Sequence, residues 1–311
     1  MIRYFLLLFV GAFAACSQQS DFQVVATDQG IQVLEKGSPV LFYQRAPKSL
    51  NGTYTRNHYL HPVMSLAGDT LTEDFPDDHL HHRGVFWAWH QVWVGDQRIG
   101  EPWECRDFLW NVREAKVVQN DASGAVLHTI VEWKSPLWKN EAGEEKALVY
   151  EVSNIRIHPR QEALRKIDFN IRLRAMEKGM RLGGSDDEKG YGGFSIRFRW
   201  PEDLKMTGQY GAAIPQNLSV DPSPWMDFSG TFGREKSGAV ILTHPSTAGF
   251  PQRWILRQSK SMQNPVFPGR DPIPLPETTD LVLRYRMILY QEELTPAQID
   301  QLQNEYANEA D

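Results

Sequence analysis

Cysteine is nearly missing from this chain: Cys16 and Cys105 are the only two in 311 residues. Two thiols are too few for a disulfide framework, so the fold must be held by its core. Clustered positive charge is also missing. The 33 Lys and Arg are dispersed among 39 Asp and Glu, the net charge is −6, and nucleic acid is therefore not an expected partner. After residue 13 no apolar run reaches the length of a membrane span. There is no repeat, no heptad run, no low-complexity segment, and no linker inside residues 22–308 that would divide the chain into two domains. The one glycine-rich loop, Gly183 to Gly193, is acidic and lacks a Walker lysine, which argues against a nucleotide. Its glycines are expected to permit a tight turn beside a cleft.

What the N-terminus does contain is Arg3, an apolar stretch from Tyr4 to Phe13, and Ala14-Ala15 ahead of Cys16. This segment resembles a bacterial lipoprotein signal. The resemblance implies that residues 1–15 are removed, that Cys16 is lipidated, and that residues 16–21 form a short tether. A plain secretory leader is the alternative, and export is expected in either case. The expected location is the cell envelope at the outer membrane, with membrane contact through the lipid alone.

From Phe22 onward, short apolar and β-branched segments alternate with turn signals. Phe22–Ala26, Ile31–Leu34, Val40–Tyr43 and Tyr59–Met64 read as strands, and Val85–Trp93, an apolar and aromatic run broken by His90 and Gln91, reads as a buried strand. Alternation is clearest in Val126–Trp133, Ala147–Ile157 and the run Ile167, Phe169, Ile171 and Leu173, which predicts one face in and one face out. Further strands are expected at Ser195–Trp200, Leu204–Tyr210, Gly238–Thr243, Arg253–Leu256 and Leu281–Tyr290. Only the end is helical in pattern: Thr295 is a good N-cap, Pro296 suits the first turn, and Ile299, Leu302 and Tyr306 recur on one side. The expected fold class is all-β, a large antiparallel β-sandwich over residues 22–311 with a short C-terminal helix.

Chemistry concentrates between residues 74 and 107. Asp78, His79, His81, His82 and Arg83 fall within six positions and run into Phe86, Trp87 and Trp89, so titratable groups meet flat apolar surface. Grouped titratable side chains of this kind mark functional sites more often than idle loops. Read as a strand, the segment puts His79 and His81 on one face and His82 on the other. Glu101, Glu104 and Asp107 lie shortly downstream, and a carboxylate beside a histidine is the minimum equipment for proton abstraction or glycosidic cleavage. Glu104 is the first choice among them. Arg83 is expected to orient a carboxylate, that of a substrate or of Asp78. A metal site built from His79 and His81 with His61, His90 or Asp78 is the alternative, although the spacing matches no standard zinc signature.

Several stretches together also resemble a known family. Leu60-His61-Pro62, Leu71-Thr72-Glu73-Asp74-Phe75-Pro76, Asp78-His79-Leu80-His81-His82-Arg83-Gly84 with Phe86-Trp87, Tyr191-Gly192-Gly193-Phe194, His244-Pro245 and Met262-Gln263-Asn264-Pro265 with Pro268-Gly269-Arg270 are similar to bacterial proteins labelled methane oxygenase PmoA family. Methane oxidation is not implied, because a subunit of a particulate methane monooxygenase is a membrane protein and no span follows the leader here. The segment Trp254–Tyr290 resembles the closing part of galactose mutarotase-like proteins, whose antiparallel supersandwich binds sugars on a concave face. Those enzymes place a glutamate base near this segment, where the present chain has Gln258, Ser259 and Gln263 and no carboxylate before Asp271.

These readings converge on a carbohydrate-active enzyme that works by hydrolysis, elimination or epimerisation. His81 or His82 is the expected proton carrier, Arg83 the anchor, and Glu104 or His61 the partner. His79, Trp87, Trp89, Trp103, Tyr191 and Arg270 are the expected substrate contacts, within a total of ten tryptophans of which most are expected in the core. No organic cofactor is called for. A non-catalytic glycan-binding lipoprotein, or a metal-dependent hydrolase or oxygenase using the histidine cluster, is the alternative, and the sequence sets no oligomeric state.

Overall fold

Alternation in the sequence becomes two faces of a sheet. In the computed structural model, which describes residues 20–309, every second side chain is buried along most of Gly124–Lys139, Glu145–Ile157 and Leu164–Ala175. The expected signal segment, its cleavage and the lipidation of Cys16 lie outside the described residues. These three strands sit side by side in a nine-stranded antiparallel sheet. Leu109–Asp121 closes one edge, and Leu281–Tyr290, Glu235–Thr243, Trp225–Phe232, Lys205–Gly208 and Gly211–Ala212 continue the other side.

A second, six-stranded sheet is built from Phe22–Ala26, Gly30–Glu35, Ser38–Gln44, Tyr59–Val63, Val85–Ala88 and Gly193–Ile196. Its buried side chains, Val33, Leu41, Leu60 and Phe194 among them, share one apolar cluster with Leu127, Ile155, Phe169 and Tyr285 of the larger sheet. The architecture is thus an all-β sandwich, as the alternation predicts. A four-stranded sheet, ordered Ile273–Pro274, Met180–Gly183, Gln91–Val94 and Gln97–Arg98, and two short ribbons complete it. No helix among the described residues is long and apolar enough to cross a membrane.

The C-terminal helix, Pro296–Ala307, follows its sequence signals closely. Thr295 and Gln298 form a reciprocal capping box, and Ile299 and Tyr306 are buried against Trp225, Val240 and Ile288. The expected strand Val85–Trp93 is instead two strands in different sheets, Val85–Ala88 and Gln91–Val94, because the chain turns at Trp89 and His90. His90 and Gln91 interrupt the apolar run at this point, but burial on both faces erases the period that would show a change of sheet. Leu109–Asp121, not expected from the sequence, is an edge strand with two register shifts and little burial, so its alternation is weak.

A charged centre lies between the two sheets. Glu151 is fully buried on the inner face of its strand, and its carboxylate accepts from the indole N–H groups of Trp87 and Trp133, both at 2.8 Å, and from the Ser153 hydroxyl at 2.6 Å. His58 Nε2 lies 2.6 Å from the same carboxylate, and the Tyr43 hydroxyl lies 2.8 Å from His58 Nδ1. Burial alone would push the Glu151 carboxyl up, but the His58 imidazole and these donors hold it below its ordinary value. His58 and Trp87 belong to the smaller sheet's side and Trp133 and Ser153 to the larger sheet, so the carboxylate joins the two layers.

Candidate functional site

The histidine segment is a turn, not a strand. The His79 amide donates to the Pro76 carbonyl at 3.1 Å and the His82 amide to the His79 carbonyl at 2.9 Å. Strand alternation therefore does not apply, and the expected division of the three imidazoles between two faces is corrected. The turn folds the rings together. His79 and His82 stack with centroids 4.7 Å apart, and His81 meets His82 edge to face at 4.5 Å and His79 at 5.7 Å. His81 and His82 are buried, whereas the His79 side chain is 41% exposed and is the open one of the three.

A polar chain holds this turn in place. Arg197, itself buried, grips Asp78 with two N–H groups at 2.6 and 2.9 Å and donates from Nε to Glu73 at 2.9 Å. Asp78 in turn lies 2.6 Å from His79 Nδ1. Its residual burial opposes ionisation, yet Arg197 and His79 bring the Asp78 carboxyl down to about 2. Asp78 is accordingly a support for His79.

Arg83 does not face a ligand, which corrects its expected role as anchor. It is fully buried, its terminal N–H groups donate to the carbonyls of Leu80, His82 and Tyr54, its Nε lies 3.4 Å from Asp74, and its plane lies over Phe75 at 3.6 Å. It also does not pair with Asp78. Gly84 follows directly, and a Cβ there would fall 1.9 Å from the Leu60 carbonyl oxygen. Gly84→Ala is expected to destabilise the chain by about 1–3 kcal/mol through forced separation of these strands, read as a lower midpoint in chemical denaturation.

Beyond the turn, the rings continue into a second histidine. Trp103 packs against His82 at 6.0 Å and Phe86 at 5.4 Å, stacks on His90 at 5.0 Å, and meets Tyr191 at 5.0 Å. His90 also meets Tyr191 edge to face at 4.8 Å. Two histidine–carboxylate pairs result, one on either side of Trp103. His81 Nδ1 lies 3.3 Å from Glu104, whose side chain is 39% exposed, and His90 Nδ1 lies 3.0 Å from Glu101, which also binds Arg98. The His81–Glu104 pair is the open one.

Electrostatics around these rings is dominated by burial and positive neighbours. Burial, then His79, His90, Arg56 and Arg83, brings His81 down to about 3, and burial with the adjoining histidines and arginines holds His82 far below its usual range. Both imidazoles are therefore neutral at pH 7. Tyr191 goes the other way: burial, with Asp187, Glu104 and Glu101 nearby, pushes its phenol up to about 12, so it keeps its proton. Arg56 lies beneath the site between Phe86 and Trp110, at 4.7 and 4.3 Å, and burial brings it down to about 10. His82 Nδ1, His90 Nε2 and Arg56 Nε are buried without hydrogen-bond partners.

The other expected residues separate into two groups. Tyr191 and Trp103 join the cluster, but Trp103 is 1% exposed with its faces covered, so it is no open platform for a sugar. Trp87 and Trp89 are core residues and not substrate contacts: the Trp87 N–H donates to Glu151 and the Trp89 N–H to the Phe267 carbonyl at 2.9 Å. An indole that finds its acceptor inside the core has no polar reason to face solvent. His61 lies 3.0 Å from the Thr72 hydroxyl and makes no ring contact with the trio. Among the described residues, no three His, Cys, Asp or Glu side chains are placed to hold a metal ion, so the expected alternative ligand set does not assemble. Tyr54, whose ring lies 6.4 Å from His81, and the His90–Glu101 pairing were not legible in advance. Both depend on contacts distant in sequence, and Tyr54 carries no motif.

Arg270 lies elsewhere, on the rim of a cleft of about 550 Å³ beside the cluster. With this geometry, residues 30–304 match the model of a family described as a family of unknown function, DUF6807. The chain belongs to this family. The match takes in the histidine turn, Trp103, Tyr191 and Arg270 together. No curated protein matches the chain.

Proposed function

We propose that the chain is a cell-envelope lipoprotein that acts on a saccharide by proton transfer, with His81 as base, Glu104 as its partner and Tyr191 as proton donor. The observation that carries this reading is the open His81–Glu104 pair, a neutral imidazole with a carboxylate 3.3 Å from Nδ1. Such a carboxylate favours the tautomer that leaves Nε2 free to accept a proton and then stabilises the imidazolium that forms. Tyr191, protonated at neutral pH, supplies the complementary donor within the same aromatic cluster.

Among the reactions a His and carboxylate set can perform, elimination and epimerisation fit this arrangement best. Both require a base at a carbon-bound proton and a donor for a developing oxyanion or leaving oxygen. Hydrolysis through two carboxylates fits less well, because Glu101 is committed to Arg98 and lies beside His90. The likeness to mutarotase-like sugar enzymes supports a saccharide as the substrate class.

The test is turnover of an oligosaccharide panel by the purified chain, followed by ultraviolet absorbance for unsaturated products and by solvent deuterium incorporation for epimerisation. Glu104→Gln is expected to lower turnover by about 10²-fold while leaving substrate affinity within a few fold. Unchanged turnover in that variant would remove the proposed base pair. Sugar binding without turnover of any panel member would favour a glycan-binding lipoprotein instead.

A further inference from the structure

The cleft beside Tyr191 has a composition that its neighbour, the histidine cluster, does not explain. Phe267, Val266 and Pro251 are part of its apolar lining, and its charged lining is Lys189, Arg253 and Arg270 against one carboxylate, Glu188. Val266 also packs against the cluster of Trp103, Phe86 and Tyr191, and Gly190 lines the cleft next to Tyr191 in the chain, so cleft and cluster share a wall. A volume of about 550 Å³ falls within the range of small-ligand sites.

Its polar groups are arranged for a negatively charged guest. Gln252 is 2% exposed, donates to the Ala248 carbonyl at 3.1 Å, and leaves its own Oε1 buried without a partner. An unmet buried acceptor of this kind calls for a donor from a ligand, such as a sugar hydroxyl. The ion pairs of the three cations are long, Arg270 with Asp186 at 3.5 Å, Arg253 with Asp221 at 3.5 Å and Lys189 with Asp187 at 3.2 Å; Arg253 also donates from Nε to the Ser219 hydroxyl at 2.9 Å, so Arg270 is the least held of them. The side chains of Arg270 and Arg253 are 58% and 52% exposed, and both terminal nitrogens of Arg270 lack a hydrogen bond among the described residues. Pairs this long and this wet contribute little and yield readily to a better-placed anion. A guanidinium offers a carboxylate two parallel N–H groups, which an exposed aspartate at 3.5 Å does not use.

We propose that the cleft is a binding subsite for an acidic saccharide, in which Arg270 and Arg253 hold a uronate carboxylate and Gln252 Oε1 accepts from a ring hydroxyl. The proposal rests on the saccharide reading of the histidine cluster and adds the charge of the substrate. A chain of two or more uronate units would place one unit in the cleft and present its neighbour, past Tyr191, to His81 and Glu104.

Calorimetric titration of the full chain with tetramers of galacturonate, glucuronate and mannuronate, each beside its methyl ester, tests this directly. A sulfated neutral tetramer tests whether the anion must be a carboxylate. At least one uronate is expected to bind ~10-fold or more tightly than its ester, and Arg270→Gln and Arg253→Gln are each expected to weaken that uronate by roughly 10-fold without moving the ester. Equal affinity for every acid and its ester, or a preference untouched by both substitutions, overturns the proposal, and tighter binding of the sulfated tetramer overturns the assignment to a carboxylate. Both arginines are exposed, so loss of folding does not confuse the result. The readout is binding and not turnover. If His81 proves dispensable for catalysis while Arg270→Gln still weakens the acid, the catalytic reading fails and the subsite stands; the opposite pattern separates them the other way.

Discussion

Glu151→Ala is expected to lower the unfolding free energy by about 3–5 kcal/mol, the usual cost of removing one partner from a buried charged pair. The substitution leaves the His58 imidazole, the indole N–H groups of Trp87 and Trp133 and the Ser153 hydroxyl without their common acceptor in a region closed to water. Glu151→Gln keeps one carbonyl oxygen but turns an amide N–H₂ toward other donors, so it should recover only part of the loss. A drop in thermal midpoint of roughly 10 °C for the alanine variant follows from the size of the domain. The matched measurement is urea unfolding with both variants. A shift under about 1 kcal/mol in both would show that the two sheets are held by apolar packing alone.

The route by which this centre escaped the sequence is instructive. Alternation assigns Val149, Glu151, Ser153 and Ile155 to one face, and that face is the buried one. A glutamate on an inward face is visible as an exception, but its four partners come from positions 58, 87, 133 and 153, and only the last is local. The same long-range donors explain why Trp87 reads from the sequence as a sugar platform and is instead a core residue. Periodicity reports which face a side chain takes; it carries no information on what meets it there. Where the period is strong, as in Glu145–Ile157, the strand lies within two residues of the bounds the sequence predicts. Around Trp89, where both faces are buried, and along Leu109–Asp121, where both are largely open, it does not.

In the candidate site the residue types were legible and the geometry was not. His81, His82 and Glu104 stand out from local composition, and the structure places them in one cluster. Arg83 stands out for the same reason yet is spent on backbone carbonyls, because a turn of this shape leaves carbonyl groups that need a donor. The distinction lies in the turn hydrogen bonds from His79 to Pro76 and from His82 to His79, which no side-chain pattern encodes. The cleft at Arg270 is assembled from four segments spread between residues 188 and 273 and could not be read from spacing.

His81→Ala is expected to lower turnover by about 10²–10⁴-fold, since it removes the proposed proton acceptor, whose other ring nitrogen lies 3.3 Å from the Glu104 carboxylate. The pH dependence gives the sharper test. Burial, with His79, His90, Arg56 and Arg83 nearby, brings His81 from 6.5 down to about 3, so the base is already unprotonated at pH 5, and Tyr191, up at about 12, keeps its proton through pH 9. Turnover should then vary little between about pH 5 and 9, and a limb centred near 6.5 would contradict the assignment. Stability carries the same signature with a definite sign. His81 is lower in the folded chain than in the unfolded one, so between about pH 6.5 and 3 the unfolded state binds the extra proton, and stability falls as the pH falls through that window. His82 contributes in the same direction. Replacing His81 by alanine removes part of this slope, on the order of a few kcal/mol across the window, which urea midpoints at pH 7, 6, 5 and 4 for the two chains will read. Parallel slopes for wild type and variant would mean that His81 charges freely in the folded chain, and with that the neutral base on which the mechanism depends would be lost.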